Sequence, residues 1–396
     1  MKAKIPISSS ADIENNRNIK NLEKAAQRIL KAIKDQERII IYGDTDLDGV
    51  TSVIILEETI KSLGGKISAV YFPDRDIDGY GINKIGLKVL KEYSPALLIS
   101  VDFGVTNYKE VNLANKMGFR VMIIDHHEVL GKLPKAEVIV DPKQKGDKYP
   151  FKGLSAAGVV FKLSEHLFNN KMAGFLKNNF LELTALSTIA DMMPRESENR
   201  FFIEEGLASL KNSFRPGIKV FFENDYFKDF PDFSQKVFKI ISILNVRDVK
   251  NRLPASFRLL TVSSAEEAEK IVGELLEKHK ITREKIEKTV EEIEENSFKK
   301  KEPIIFDGKE SFESALLSSA ASILCQKHKK PTFLFRKMEE ESQGTIRTPR
   351  DVNSLDLLKK CSKHLLSFGG HAQASGFRVK NRNIDNLKKC LIKNSK

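Results

Sequence analysis

The sequence predicts an α/β protein: an N-terminal doubly wound parallel sheet, a long connecting helix and a smaller C-terminal α/β domain. Three observations carry that expectation. Branched apolar runs alternate with helical stretches from about Glu37 to Asp191. Several of those runs end abruptly in carboxylates and glycine. A charge-laced helical pattern, Ser264 to about Glu295, then precedes a second set of strand signals.

Taken in order, residues 1–36 read as a helical lead-in and 37–260 as the main domain. Its candidate strands are Arg38–Tyr42, Lys66–Phe72, Ala96–Val101, Arg120–Ile124 and Glu137–Val140. From 155 to 220 the pattern is mostly helical, with Ser155-Ala-Ala-Gly158 opening one helix and Leu181–Ile189 running into Asp191. Residues 261–300 form the connecting helix, which ends at Lys299-Lys-Lys301 and Pro303. The domain 301–396 offers strand signals at Pro303–Phe306, Thr332–Phe335 and Gly376–Val379, with helices at Ser318–Gln326 and Leu355–Leu366.

Composition narrows the classes. A chain of 396 residues with 41% hydrophobic content can build two domain cores. No apolar run approaches the roughly 18 residues that span a bilayer, and the N-terminus lacks a signal-peptide segment. Cys325, Cys361 and Cys390 form no C-x-x-C pair and read as reduced thiols of a cytoplasmic protein. The net charge of +12 suits a polyanion such as nucleic acid. No coiled-coil seam is evident, so a monomer is expected.

Ile39-Ile-Ile-Tyr-Gly-Asp-Thr-Asp-Leu-Asp-Gly49 carries the most chemistry. Three carboxylates, Asp44, Asp46 and Asp48, crowd the end of a buried strand. Their repulsion needs a positive charge among them, and oxygen-bound divalent cations are the usual answer. Asp102 and Asp125-His126-His127 fall at the ends of two further strands, and Asp191 closes an apolar helix. In a doubly wound sheet such strand ends share one edge, where Asp102 is the natural bridging carboxylate. Adjacent histidines cannot both face one way, so one would bind metal and the other would face substrate or a supporting partner. Mixed aspartate and histidine donors suit two Mn²⁺ ions, with Mg²⁺ as the alternative. In the C-terminal domain, Gly369-Gly370 allows close backbone approach and sets His371 on an exposed turn. Gly344-Thr345-Ile-Arg347 offers a guanidinium for bidentate phosphate contact.

These segments together resemble the DHH phosphoesterases, and within them the RecJ-like exonuclease branch with its DHHA1 domain. The resemblance rests on Tyr42–Ser52, Asp78-Gly-Tyr-Gly-Ile-Asn83, Val101-Asp-Phe-Gly104, Asp125-His-His127, Ala185–Pro194, Gly344–Thr348 and Gly369-Gly-His371, in that order. It implies a dinuclear Mn²⁺ site held by Asp44, Asp46, Asp48, Asp102, His126 and Asp191. Asp102, His126 and His127 would be catalytic, and Thr345, Arg347, Gly369, Gly370 and His371 would bind substrate from the DHHA1 side. It further implies a 5′→3′ exonuclease on single-stranded DNA, with RNA as a further substrate and replication or repair proteins as partners. Rival readings are a short-oligonucleotide or cyclic-dinucleotide phosphodiesterase and a metal-free replisome scaffold. Tyr42 stands where many DHH enzymes carry a metal-binding histidine. The segment Asn245–Arg252 lacks the glycine of the usual N-A-A-G-R. The chain also stops soon after Gly376, without the oligonucleotide-binding barrel of longer relatives, so lower processivity is expected.

Overall fold

The computed structural model describes residues 19–75, 77–129, 131–227, 230, 232–297 and 302–395. Contacts divide the chain into two units, Met1–Leu276 and Glu277–Lys396.

The first unit opens with helix α1 (Leu22–Lys34), whose Leu22, Ala25, Ala26, Ile29 and Ala32 recur at helical spacing and are buried. There follow β1 (Ile39–Gly43), α2 (Leu47–Ser62), β2 (Ile67–Tyr71), α3 (Lys84–Leu90), β3 (Ala96–Val101), α4 (Tyr108–Lys116), β4 (Phe119–Ile124) and β5 (Val138–Val140). The five strands are all parallel, in the order β2-β1-β3-β4-β5. They lie where the apolar runs predict them. Successive residues of a strand face opposite sides. Ile39 and Ile41 therefore join one core with α1 and α2, while Ile40 and Tyr42 join another with Leu87 of α3 and Val111 of α4. Burial on both faces explains why β1 is apolar without alternation. The strand order reverses between β1 and β3, the place where such sheets take ligands.

Helices α5 (Ala156–Leu167), α6 (Gly174–Ala190), α7 (Ser197–Leu210), α8 (Pro216–Glu223) and α9 (Phe233–Leu244) extend the first core. A short hairpin, β6 (Val249–Lys250) and β7 (Leu253–Pro254), then leads into α10 (Ala255–Thr261). Helix α11 (Ala265–Ser297) matches the predicted charge-laced helix. Its Ala268, Ile271, Val272 and Leu275 pack into the first unit's core, and Val290 and Ile293 into a core of the second.

The second unit contains β8 (Ile305–Lys309), α12 (Ser314–His328), β9 (Thr332–Lys337), β10 (Glu341–Arg347), α13 (Ser354–Lys360), β11 (Ser367–His371), β12 (Ala374–Lys380) and α14 (Ile384–Asn394). Its sheet runs β11-β12-β10-β9-β8, antiparallel except for the parallel pair β8 and β9. Two of these strands carry no sequence signal, because β10 begins Glu-Ser-Gln-Gly and β11 holds two glycines.

Two expectations are corrected here. Gly369-Gly370-His371 is the end of β11, hydrogen-bonded to β12, with His371 half-buried; it is not an exposed turn. Cys361 and Cys390 are not reduced thiols. Cys361 caps the end of α13 and α14 packs alongside, so their Cα atoms come within 5.9 Å and the sulfurs are bonded. Among the described residues Cys325 is free, and it is buried. No helix of the described residues is long and apolar enough to cross a membrane.

Candidate metal centre

Register builds the site. Gly43 of β1 pairs with Val101 of β3, so Asp44 and Asp102 leave neighbouring strand ends side by side. Asp102 N–H donates to Ile124 O of β4 and Asp125 N–H to Val140 O of β5, at 3.0 Å each, carrying the alignment across the edge. The turn into α2 requires Gly49: a Cβ there would sit 2.5 Å from the Asp44 carbonyl oxygen. Asp46 caps α2, its Oδ1 accepting from Gly49 N–H at 3.1 Å. Asp48, in the first turn of α2, is buried. Its carboxylate accepts from Ala156 N–H at 2.8 Å, Ala157 N–H at 2.9 Å and Ser187 Oγ at 2.5 Å. The N-terminus of α5 thus holds an anion, as helix N-termini do.

The two histidines are oriented separately. His126 Nδ1 lies 2.9 Å from the Leu154 carbonyl, which can only accept, so Nδ1 bears the proton. Its Nε2 faces Asp102 Oδ1 at 3.2 Å, Asp48 Oδ2 at 3.5 Å and Asp191 Oδ2 at 3.6 Å. His127 Nδ1 instead donates to Asp125 Oδ1 at 2.8 Å. Asp125 also accepts from the N–H groups of His126 and Val105. The rings sit 4.6 Å apart, edge to face.

Among the donor groups whose ligand atoms lie within 4.8 Å of one another are Asp48, Asp102 and His126; Asp44, Asp46 and Asp102; and Asp102, Asp125 and His127. Asp102 belongs to all three. Asp191, which ends α6, reaches the first group through His126.

The electrostatics are those of a site made for cations. Burial, then the charges of Asp48, Asp46 and Asp44, push the Asp102 carboxyl well above the ordinary range. Burial and Asp48 do the same to Asp191, and burial lifts Asp48 to about 6. Burial drives the His126 imidazole well down, so it is neutral and offers a lone pair at Nε2. Asp102 Oδ1 is buried, and no hydrogen-bond donor reaches it among the described residues. Nε2 and Oδ1 lie 3.2 Å apart, so a proton on Asp102 or a metal ion must stand between their lone pairs. The donor set therefore fits divalent cations: Asp48, Asp102, His126 and Asp191 would hold one, and Asp44, Asp46 and Asp102 would hold another. His127 behaves oppositely. Against the cost of burial, Asp125 raises its imidazole to about 9.

In the second unit Thr345, Arg347, Gly369 and His371 share one sheet face, while Gly370, level with Ser375 and Ile346, belongs to the other. Thr345, Gly376 and Gly369 form one cross-strand row, and Arg347, Ala374 and His371 the next. Arg347 donates to Ser322 Oγ at 3.1 Å and to Thr345 Oγ1 at 3.0 Å. The His371 carbonyl accepts from Ser354 Oγ and Ser375 Oγ, at 3.0 Å each.

The family profile "DHH family, N-terminal domain" matches residues 38–188, and "DHHA1 domain" matches 301–394. The chain belongs to the DHH–DHHA1 family. This DHH protein is 32% identical over 389 residues to the single-stranded-DNA-specific exonuclease RecJ of Bacillus subtilis, covering 96% of the chain and 48% of that relative. It is 27% identical to RecJ of Thermus thermophilus, covering 91% and 52% respectively. The chain thus spans about half the length of these curated relatives. A crystal structure of exonuclease RecJ bound to manganese aligns with TM-score 0.74 at 25% identity, covering 95% of this chain and 94% of that one. A manganese complex of Thermus thermophilus RecJ aligns with TM-score 0.78 at 25% identity, covering 95% and 55%.

Sequence reasoning missed three contributors. Ser187 lies one helical turn before Asp191, a spacing that marks it as facing the same way. Asp125, inside the Asp-His-His triplet, orients His127. Arg75, whose guanidinium lies against Asp44 and Asp46, has no sequence signal.

Proposed function

We propose that this chain is a cation-dependent phosphodiester hydrolase that degrades single-stranded DNA from the 5′ end, acting as a monomer in the cytoplasm. The observation that carries the reading is Asp102, common to the Asp48 and the Asp44 donor groups on one sheet edge. Two cations sharing a carboxylate, roughly 3.5–4 Å apart, are a recurring device for phosphoester cleavage; they activate a water and neutralise charge at phosphorus. The chain's own residues prepare that chemistry. Asp48 is immobilised by three donors before any ion arrives. His126 presents Nε2 because Leu154 claims Nδ1. His127, kept protonated by Asp125, donates to a phosphoryl oxygen. On the DHHA1 face Arg347 and His371 offer donors to a backbone phosphate of the strand, Arg347 with its planar group prearranged by Ser322 and Thr345. The similarity to RecJ exonucleases supports the single-stranded DNA substrate and the polarity.

The deciding assay digests 5′- and 3′-end-labelled single strands, DNA and RNA, with Mn²⁺, Mg²⁺ or a chelator, and sizes the products. Mononucleotides released from the 5′ end of DNA with either metal, and none with the chelator, are expected. Cleavage confined to dinucleotides, or cleavage in chelator, overturns the reading.

A further inference from the structure

Arg75 occupies an unusual place. Its Nη2 lies 2.6 Å from Asp44 Oδ1 and 3.0 Å from Asp46 Oδ2, and its Nε lies 3.0 Å from Asp44 Oδ1. Those oxygens belong to two of the three residues of one donor group. A guanidinium and a divalent ion cannot use the same lone pairs at once. Arg75 also lies over the Tyr80 ring, 5.3 Å from its centroid.

The backbone around Arg75 is fixed from outside the site. Asp78 Oδ2 accepts from Asp74 N–H at 3.0 Å, and the Asp74 carbonyl accepts from the N–H groups of Ile77 and Asp78. That closed turn is tied down by buried Asp78, which accepts from Tyr71 Oη at 2.9 Å and from Arg252 Nη1 at 2.8 Å. Arg252 Nη1 also donates to Tyr71 Oη at 2.7 Å, and its guanidinium lies 5.3 Å from that ring's centroid. Arg252 comes from the β6–β7 hairpin, whose two turn residues have φ of 53° at Asn251 and 61° at Arg252. Both signs are those of a two-residue type I′ turn, which favours Asn and Gly. An arginine there is strained, and the hold on Asp78 offsets that cost.

We propose that Arg75 is a resident counter-ion which a divalent cation displaces from Asp44 and Asp46, and that Arg252 sets the resistance to displacement by pinning the Asp74–Asp78 turn. Arg252 is then a positioning residue for the metal centre. The inference rests on the cation reading above and assigns these two arginines a role in how the site loads.

Mn²⁺ uptake by the metal-stripped full chain, followed by electron paramagnetic resonance of the free ion, tests it without recourse to turnover. Arg75→Gln is expected to bind Mn²⁺ about tenfold more tightly, the scale of one charge-assisted, partly buried contact. Arg252→Gln should also tighten uptake, by about threefold, because Arg75 keeps its charge but loses its anchor; Arg252→Lys should restore most of the hold. In the unmutated chain, the Arg75 Nε–H resonance should lose its carboxylate-bonded shift as diamagnetic Mg²⁺ saturates. Mn²⁺ uptake by the unmutated chain with no tightening in Arg75→Gln, or an Nε–H that keeps its shift at saturation, overturns the displacement. An unchanged affinity in Arg252→Gln overturns the pinning role. No uptake by any form overturns the cation reading itself and this inference with it.

Discussion

Asp102 sits in the left-handed region, with φ of 66°. Asparagine and aspartate tolerate that region better than other side chains. The informative substitution is therefore Asp102→Asn, which removes the charge and keeps the backbone. We expect single-turnover cleavage of a labelled single strand to fall by about a thousandfold or more, with an unchanged circular dichroism spectrum. Retained activity would refute the bridging role. Crowded carboxylates also give the metal-free protein a definite pH dependence. Asp48 rises from 3.8 to about 6 on folding, so its ionisation costs native stability as pH climbs through that interval. Asp102 and Asp191, raised further by burial and by neighbouring aspartates, extend the loss upward. His127 adds stability that is complete below 6.5 and disappears as pH rises through about 9. These four shifts share one sign, while the His126 imidazole, driven down by burial, opposes them by adding stability as pH rises toward 6.5. The melting temperature measured in chelator should therefore drop between about pH 6.5 and pH 9, where His126 no longer counts, and Mn²⁺ should shrink the drop. A metal-free protein that gains stability over that range contradicts the assignment. At this scale the carboxylates were legible because each closes an apolar run. Arg75 was not, because its role comes from a turn fixed by Arg252, far along the chain.

Among elements, the parallel strands of the first unit were legible because burial on both faces demands unbroken apolar sequence. The antiparallel strands β10 and β11 were not. One face of each is polar or glycine-rich, and their pairing with β12 is set by that strand's Phe377 and Val379, packed in the core. The disulfide was illegible for a related reason, since only the packing of α13 against α14 brings Cys361 to Cys390. The β11–β12 hairpin depends on Gly370, which has φ of 131° and whose added Cβ would meet the Ala374 carbonyl oxygen at 2.4 Å. Gly370→Ala should cost about 1–3 kcal/mol, read as a lower denaturation midpoint. It should also displace His371 and weaken single-strand binding. Unaltered stability and binding would show that the hairpin relaxes freely.

At the scale of the molecule, a net charge of +12 accompanies a fold whose candidate metal rim is itself acidic. The excess positive charge therefore lies elsewhere along the chain. Affinity for single-stranded DNA should fall with salt, with a log–log slope of about −0.7 for each phosphate neutralised. A flat response would exclude backbone tracking. Composition announced this charge at once, and the motif order announced both domains. Neither could show that Thr345, Gly376 and Gly369, with Arg347, Ala374 and His371 beside them, lie in two parallel rows. Between the arginine and the histidine those rows present methyl groups, bare peptide and almost no projecting side chain. Such a strip can seat a sugar–phosphate link without consulting the nucleobase attached to it. Indifference to the letters of the message is what the proposed digestion of single strands requires, whatever sequence comes next.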